Sequence, residues 1–273
     1  MREIRTDIDQ IQAQACNPHC AIFDSMRIAR LILLAIMLGA SGAAGAQEGG
    51  DTQARIEYAY QTEDVNSLVN LVQNLTTQVK SDPQDINARY HLAHAQYRFG
   101  QLPHEGRARG AEAAFADCID ELKPVLDKNV GSVEATVLQS ACYAALADLR
   151  SLEAVLLRSR AADRLKTALK LEPHNPRAVL LLAMQDMHAA KPGSTESQRG
   201  FLRLQEAAQL FERSSGTQID VPGWGHADAY LTLGRELQAR GDHLGARNWI
   251  EKALIAAPDY KLAQRQLASL AKP

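Results

Sequence analysis

A glycine stands in the middle of a strongly helical stretch, AYLTLGRELQARGDHLGARNWIEKALIAAPDY, at residues 229–260. Glycine inside a helix costs about 1 kcal/mol relative to alanine, so Gly234 needs a compensating contact. Gly241 fits the end of a first helix, and Asp242 fits the N-cap of a second. The stretch therefore predicts two antiparallel helices that cross where Gly234 faces the small residue Ala246, because a larger side chain there would hold the backbones apart.

This pattern resembles the tetratricopeptide repeat (TPR) family, and the resemblance is most specific in residues 227–260. The residues at the spacings of the family's eight signature positions are Tyr230, Leu233, Gly234, Leu237, Ala246, Ile250, Ala253 and Pro258. Three of the large signature residues are replaced by other apolar residues. The resemblance implies a structural role for Gly234, Ala246, Ala253 and Pro258, and a fold of stacked helix pairs.

Weaker copies of the pattern precede this repeat, with Ala93, Ser140 and Ala183 at the position of Gly234. Their spacing exceeds the usual TPR period of about 34 residues, and segments such as LRSLEAVLLRSR and KPGSTESQRG account for the extra length. We interpret the second segment as a loop because of its Pro, Gly and Ser content. The predicted fold is all-α: a right-handed solenoid of about four irregular TPR-like antiparallel helix pairs, starting near residue 52, with an unpaired or half-repeat helix around residues 67–83.

Composition supports this fold and excludes one class of partner. The chain of 273 residues is 46% apolar and 23% charged, with only 5% aromatic residues, which suits a helical globular protein. Its formal net charge of −2 argues against binding to nucleic acid, which usually requires a basic face.

The N-terminal part of the chain reads as a targeting segment. In MRIARLILLAIMLGASGAAGA, residues 26–46, a short basic region precedes an apolar run and a small-x-small site, as in a cleavable signal peptide. We predict that residues 47–273 form the TPR-like domain, that they keep no stable membrane span, and that the protein is periplasmic or secreted by a bacterium. An uncleaved anchor remains open. Residues 1–25 are either an upstream extension or the result of a misassigned start codon.

No arrangement of residues in the sequence points to catalysis, a cofactor or a metal, so a non-enzymatic protein is expected. His91 and His94 lie three residues apart on one predicted helix, which is compatible with a metal pair but also with a solvated polar face. The CNPHC segment at residues 16–20 carries too few ligands for a convincing metal site.

Two cysteines lie in the predicted domain, Cys118 on the second helix of one repeat and Cys142 on the first helix of the next. These helices should be neighbours, and an exported protein meets an oxidising environment. A disulfide and two separate buried thiols both remain open.

The TPR resemblance implies a groove, lined mainly by first helices, that binds a protein or peptide partner as a scaffold or adaptor would. The groove positions carried over from the family are Tyr90, His94, Tyr97, Leu180, Met184, Met187, Leu231, Arg235 and Gln238. The alternative is a soluble accessory component of a solute transporter with a small-ligand cleft. A closed, mostly apolar cavity would favour this alternative, whereas an open groove would favour the polypeptide scaffold.

Overall fold

The computed structural model describes residues 51–102, 107–191, 193–214 and 223–270, with only the backbone for residues 107–109. These residues form eleven helices and no strands. The helices are α1 (51–61), α2 (Val65–Ser81), α3 (Ile86–Gln101), α4 (Arg107–Lys128), α5 (Val133–Ala147), α6 (Ala154–Leu171), α7 (Pro176–Ala189), α8 (Thr195–Ser214), α9 (His226–Ala239), α10 (His243–Ala256) and α11 (Lys261–Leu270).

Consecutive helices pack as pairs, and the pairs stack in chain order. The most extensive contacts join α3 to α4, α5 to α6, α7 to α8 and α9 to α10, and smaller contacts link each pair to the next. The prediction of an all-α solenoid of stacked helix pairs is therefore confirmed. All described residues lie in one compact unit, Gly49–Pro273.

The N-terminal end differs from the prediction, because the helix around residues 67–83 is not unpaired. Ile56 and Ala59 of α1 share a buried cluster with Leu68 and Leu71 of α2. The pair α1–α2 thus precedes the four predicted pairs. The sequence did not predict α1 as the partner of α2, because the small and apolar residues of α1 do not follow the signature spacing of the later first helices.

Polar N-cap residues stand at the start of several helices. The side chains of Asp85, Ser132 and Asn175 accept hydrogen bonds from backbone N–H groups in the first turns of α3, α5 and α7. Asp64 and Asp242 cap α2 and α10 in the same way. Because these caps satisfy N–H groups that lack partners inside the helix, they stabilise each start and stop the helices from shifting in register.

The glycine of the last repeat lies at a helix crossing, as predicted. A Cβ atom added to Gly234 would stand 2.6 Å from Cγ1 of Ile250 and 3.0 Å from the carbonyl oxygen of Ala246. Ser140, at the same position two repeats earlier, donates a hydrogen bond of 2.8 Å to the carbonyl oxygen of Ala161. The small position therefore has the same role in both repeats: it lets the two helices of a pair come close together.

We expect Gly234→Leu to lower the free energy of unfolding by about 1–3 kcal/mol, because the added side chain has to push α9 and α10 apart. Urea unfolding followed by circular dichroism measures this loss. Gly131→Leu is a matched control, since a Cβ atom at Gly131 would meet only the side chain of Asn129, at 3.8 Å. Equal stability of the two variants would contradict the crossing.

One segment interpreted as a loop is partly helical. In KPGSTESQRG, α8 already begins at Thr195, and the Ser194 hydroxyl accepts a hydrogen bond of 3.2 Å from the backbone N–H of Ser197. Gly200 lies within α8, where an added Cβ atom would stand 3.2 Å from the carbonyl oxygen of Ala183. Two residues that suggested a loop thus have roles in a helix. Ser194 caps α8, and Gly200 is the small residue where α8 crosses α7.

Cys118 of α4 and Cys142 of α5 are joined by a disulfide, with their Cα atoms 6.3 Å apart. Both side chains are fully buried in the cluster that α4, α5 and α6 share. The bond therefore links the second helix of one pair to the first helix of the next.

Removing this bond with the double substitution Cys118→Ala and Cys142→Ala should lower the free energy of unfolding by about 3 kcal/mol, because the unfolded chain loses a closed loop of roughly 25 residues. Urea unfolding of the oxidised protein and of the double variant tests this. Thiol titration of the unfolded, non-reduced protein is the control: two free thiols from these cysteines would show that the bond does not form.

The predictions for residues 1–25 and 26–46, including the CNPHC segment, lie outside the described residues. Among the helices that the structure describes, none is long and apolar enough to cross a membrane.

Candidate functional site

Three predicted groove residues, Tyr90, His94 and Tyr97 on α3, surround a tryptophan of the same chain. The Trp224 indole N–H donates a hydrogen bond of 3.2 Å to the Tyr90 hydroxyl. Its ring centroid lies 6.2 Å from the rings of both His94 and Tyr97. Trp224 is only 2% exposed and His94 is fully buried. In this structure the three side chains contact a residue of the chain itself, and their assignment to a partner-binding groove stays a prediction.

Trp224 is held from α7 as well as from α3. The Arg177 side chain donates a hydrogen bond of 2.9 Å from Nε to the Trp224 carbonyl oxygen, and its Nη1 atom donates one of 3.3 Å to Glu134 Oε1. Trp224 is followed by Gly225, the N-cap residue of α9. Gly225 has a left-handed backbone conformation, with φ 93°. The segment leading into the last repeat thus places a large aromatic side chain between the first helices of earlier repeats.

A buried charged cluster lies beside Trp224. Arg98 of α3 forms two hydrogen bonds of 2.7 Å with the Glu57 carboxylate of α1, and a third of 2.6 Å with Asp228 Oδ2 of α9. His94 Nε2 lies 2.8 Å from Glu57 Oε1. We call Glu57, His94, Arg98 and Asp228 the Arg98 cluster. It joins three helices, of which α3 and α9 lie far apart in the sequence.

Tyrosines extend this connection to the last helix. Tyr260, just before α11, donates a hydrogen bond of 2.7 Å to Asp228 Oδ1, and its hydroxyl lies 3.4 Å from that of Tyr60. The Arg98 guanidinium lies over the Tyr60 ring, 4.1 Å from its centroid. Glu63 and Arg265 form an ion pair between the two ends of the described chain. The first and last repeats therefore touch, and the stack of helix pairs closes on itself.

The electrostatics of the Arg98 cluster favour its charged form. Burial alone would raise the pKa of Glu57, but the Arg98 charge and the His94 hydrogen bond outweigh it and lower the pKa to about 2. Burial opposes the charge on Arg98, yet Asp228 and Glu57 raise its pKa well above the usual value. Burial lowers the pKa of His94, against the effect of Glu57, and favours the neutral imidazole. The cluster is a paired, hydrogen-bonded ion network that joins helices.

The interpretation of the histidine pair as a solvated polar face is wrong. His91 and His94 are both buried, so they do not form a solvated face, and His94 binds Glu57. Within the described residues, no group of three or more His, Cys, Asp or Glu side chains could hold a metal ion. Both histidines lie on the inward face of α3, whose partners are distant in sequence.

We expect acid to destabilise the fold in two steps. Burial, and then the neighbouring His94, lower the pKa of His91 from 6.5 to about 4, so the unfolded chain binds a proton at higher pH than the folded chain. The stabilisation from neutral His91 is complete above pH 6.5 and is lost as pH falls toward 4. The loss amounts to about 3 kcal/mol. Glu57 adds a second loss as pH falls from 4.5 to about 2.

Urea unfolding at about pH 7.5 and about pH 4.5 measures the first step. His91→Gln should reduce the difference in unfolding free energy between these two pH values, whereas exposed His243→Gln should leave it unchanged. An equal pH dependence for wild type and His91→Gln would refute the assignment to His91.

The other predicted groove residues divide into core residues and exposed residues. Leu180 and Leu231 are buried in the C-terminal core, and Met187 packs against Gly200 of α8, so these three hold helices together. Met184 is 45% exposed and Arg235 is exposed as well.

Gln238 is half-buried, and its side-chain oxygen accepts a hydrogen bond from Gln266 of α11. Gln266 also accepts a hydrogen bond of 3.1 Å from Arg235. Helix α11 therefore borders the exposed part of α9.

Sequence reasoning missed Glu57, Arg98, Trp224, Asp228 and Tyr260. Two signals were present. Arg98 is a permanent charge in a predicted first helix, and Trp224 lies in the unusual PGWGHADAY segment that leads into the last repeat. Neither signal named a partner, because the residues that these side chains contact lie far away in the sequence.

The helix pairs, their crossings at small residues and their stacking define a TPR-like helical-repeat protein. The solved structure of TTC0263, a thermophilic TPR protein of Thermus thermophilus, is similar to this chain with a TM-score of 0.54 and 18% identity, over 80% of this chain and 98% of that chain. The predicted resemblance to TPR proteins is thereby confirmed at the level of the fold.

Two further solved structures show weaker similarity. MamA matches with a TM-score of 0.35 and 17% identity, over 70% of this chain and 89% of its own. YrrB, described as a TPR protein with an unusual peptide-binding site, matches with a TM-score of 0.34 and 16% identity, over 83% of this chain and 96% of its own. No protein-family model matches the chain, and no curated protein is similar enough to match it.

Proposed function

We propose that this protein is a non-catalytic scaffold that binds a polypeptide partner on the first-helix surface of its C-terminal half. One observation carries the proposal. The residue that follows the small crossing residue is buried in the first two predicted repeats, as His94 and Ala141, but Met184 is 45% exposed and Arg235 is exposed. Equivalent positions of consecutive repeats lie side by side in a solenoid, so we expect Met184 and Arg235 to belong to one surface.

The chemistry of this surface suits a polypeptide. Methionine adapts its shape to different partners, and arginine is enriched at protein interfaces. The N-terminal half of the same surface is covered by Trp224 and the Arg98 cluster. Tyr90, His94 and Tyr97 therefore support the fold, whereas Met184 and Arg235 remain for the partner and Gln238 lies at the edge beside α11.

A closed, mostly apolar cavity would favour the alternative function, an accessory component of a solute transporter. Within the described residues, Trp224 and the charged side chains of the Arg98 cluster fill the space between the first helices. A cleft of about 430 Å³ lies instead between α1 and α2, and polar side chains such as Arg55, Asp64 and Asn70 line part of it. The packing of Trp224 and the Arg98 cluster against the first helices supports the polypeptide scaffold over this alternative.

Site-specific photo-crosslinking tests the proposed surface. A photoreactive amino acid at position 184 or 235 should form adducts with the same partner polypeptide, whereas one at exposed Val130, on the turn between α4 and α5, should not. The double substitution Met184→Ala and Arg235→Ala should weaken binding of that partner by at least about 2 kcal/mol while stability stays unchanged. The assignment would be overturned if only position 130 formed adducts. It would also be overturned if the double variant bound the partner as tightly as the wild type does.

We also propose that the protein acts outside the cytoplasm. The order of basic, apolar and small residues in residues 26–46 supports export, as does the pairing of Cys118 with Cys142. Expression of the full chain in a bacterium, followed by N-terminal sequencing of the protein in the periplasmic fraction, tests this proposal. A start near Gln47 is expected, and recovery of the intact chain from the cytoplasm alone would contradict it.

A further inference from the structure

The outward face of α6 is unusually basic for a chain with a net charge of −2. The buried residues of this helix recur at helical spacing and pack toward the core: Ala154, Leu157, Ala161, Leu165 and Ala168. The exposed residues include five cations and one acid: Arg158, Arg160, Arg164, Lys166, Lys170 and Asp163. A basic amphipathic helix of this kind is typical of a surface that meets negative charge.

Most of these cations have no acidic partner among the residues that the structure describes. Arg158 forms an ion pair of 3.0 Å with Asp148. Arg160, Arg164, Lys166 and Lys170 form no ion pair with any residue that the structure describes. Their charges are therefore available to an external anionic surface.

Exposed aliphatic side chains lie at the N-terminal end of the same helix. Leu152 is 101% exposed, Val155 is 85% exposed and Leu156 is 53% exposed, and Leu149 of the preceding turn is partly exposed as well. Adjacent exposed aliphatic residues are costly in water and commonly mark an interaction site. By helical spacing, Val155 and Leu156 lie on the same side of α6 as Lys166 and Lys170.

We propose that this face of α6 docks on an anionic lipid surface. Leu152, Val155 and Leu156 insert among the lipid headgroups, and the cations along the helix bind the phosphates. A lipid surface suits these residues better than an acidic protein does, because Leu152, in the turn before α6, and Val155, in its first turn, protrude rather than line a pocket. The anchors of protein interfaces sit in pockets. Neither Met184 nor Arg235 belongs to this face, so either proposal stands without the other.

An environment-sensitive fluorescent amino acid at position 152 tests the docking in the full chain. Vesicles of phosphatidylcholine with about 30% phosphatidylglycerol should shift its emission to the blue, and vesicles of phosphatidylcholine alone should not. The same probe at position 130 should not respond to either vesicle. Because the readout is local to each probe, binding through the N-terminal apolar segment does not imitate the result.

Charge reversal supplies a second measurement. Lys166→Glu with Lys170→Glu should weaken binding to the anionic vesicles by at least about tenfold. Lys80→Glu with Lys191→Glu changes the net charge equally on exposed residues elsewhere and should have little effect. Circular dichroism checks that both variants are folded.

Three outcomes would overturn the proposal. The probe at position 152 could stay in water with both kinds of vesicle. It could respond equally to neutral vesicles, which would exclude a role for the cations. It could instead respond to poly-glutamate and not to lipid, which would assign the face to an acidic polypeptide.

Discussion

Replacing Arg98 with methionine is expected to lower the free energy of unfolding by about 3–5 kcal/mol, because the carboxylates of Glu57 and Asp228 would be left buried or half-buried without their cation. Methionine fills much of the same volume, so the loss reports on charge more than on packing. Urea unfolding followed by circular dichroism measures it. The loss should fall at low pH, where protonation of Glu57 removes one unpaired charge.

An exposed ion pair provides the matched control. Arg247 lies 2.8 Å from Glu251 on the surface of α10, one helical turn away. Arg247→Met should cost no more than about 0.5 kcal/mol. A double-mutant cycle with Glu57→Gln then isolates the coupling between Glu57 and Arg98. Equal losses in Arg98→Met and Arg247→Met would show that the closure of the repeats does not depend on the Arg98 cluster.

Trp224→Ala should have an effect of similar size, about 3–5 kcal/mol, because it removes a fully buried aromatic side chain and leaves a cavity. The cavity would lie between α3 and α7, so hydrogen exchange should accelerate most in α3, around Tyr90 and Tyr97. The same urea unfolding experiment measures the overall loss, and mass spectrometry after exchange locates it.

The second tryptophan of the chain is the control. Trp249 on α10 is only partly buried, and the Lys252 ammonium lies 4.1 Å from its ring centroid. Trp249→Ala should therefore cost clearly less than Trp224→Ala. If the two losses were equal, or if exchange in α3 stayed unchanged, Trp224 would not support the first helices as described.

Closure of the repeats also determines which surfaces remain for partners. In an open stack of pairs, the inward residues of every first helix would be available, as the sequence suggested. In this structure Trp224 and the Arg98 cluster cover the inward residues of the N-terminal first helix α3. The proposed partner surface around Met184 and Arg235 and the proposed lipid-facing surface of α6 both lie outside this closed part.

The sequence by itself determined the local features of this protein. The spacing of Gly234 and Ala246 predicted a helix crossing, and the crossing is there, because contacts between adjacent helices depend on residues only about 12 positions apart in such a repeat. The capping residues, such as Asp242, and the pairing of four helix pairs follow from the same short-range pattern. Hidden helices were missed where the signature weakens, as in α1 and at the start of α8.

Only the tertiary structure decided how the ends of the stack meet. The curvature of a solenoid is the sum of small rotations between neighbouring pairs, and irregular spacers change each rotation. Whether Arg98 reaches Asp228, and whether Trp224 enters the space beside Tyr90, depends on that sum over the whole chain. The resemblance to TPR proteins assigned His94 and Tyr97 to the inner surface, but it could not give their partner Trp224, which lies more than a hundred residues away and is brought near only by the folded stack.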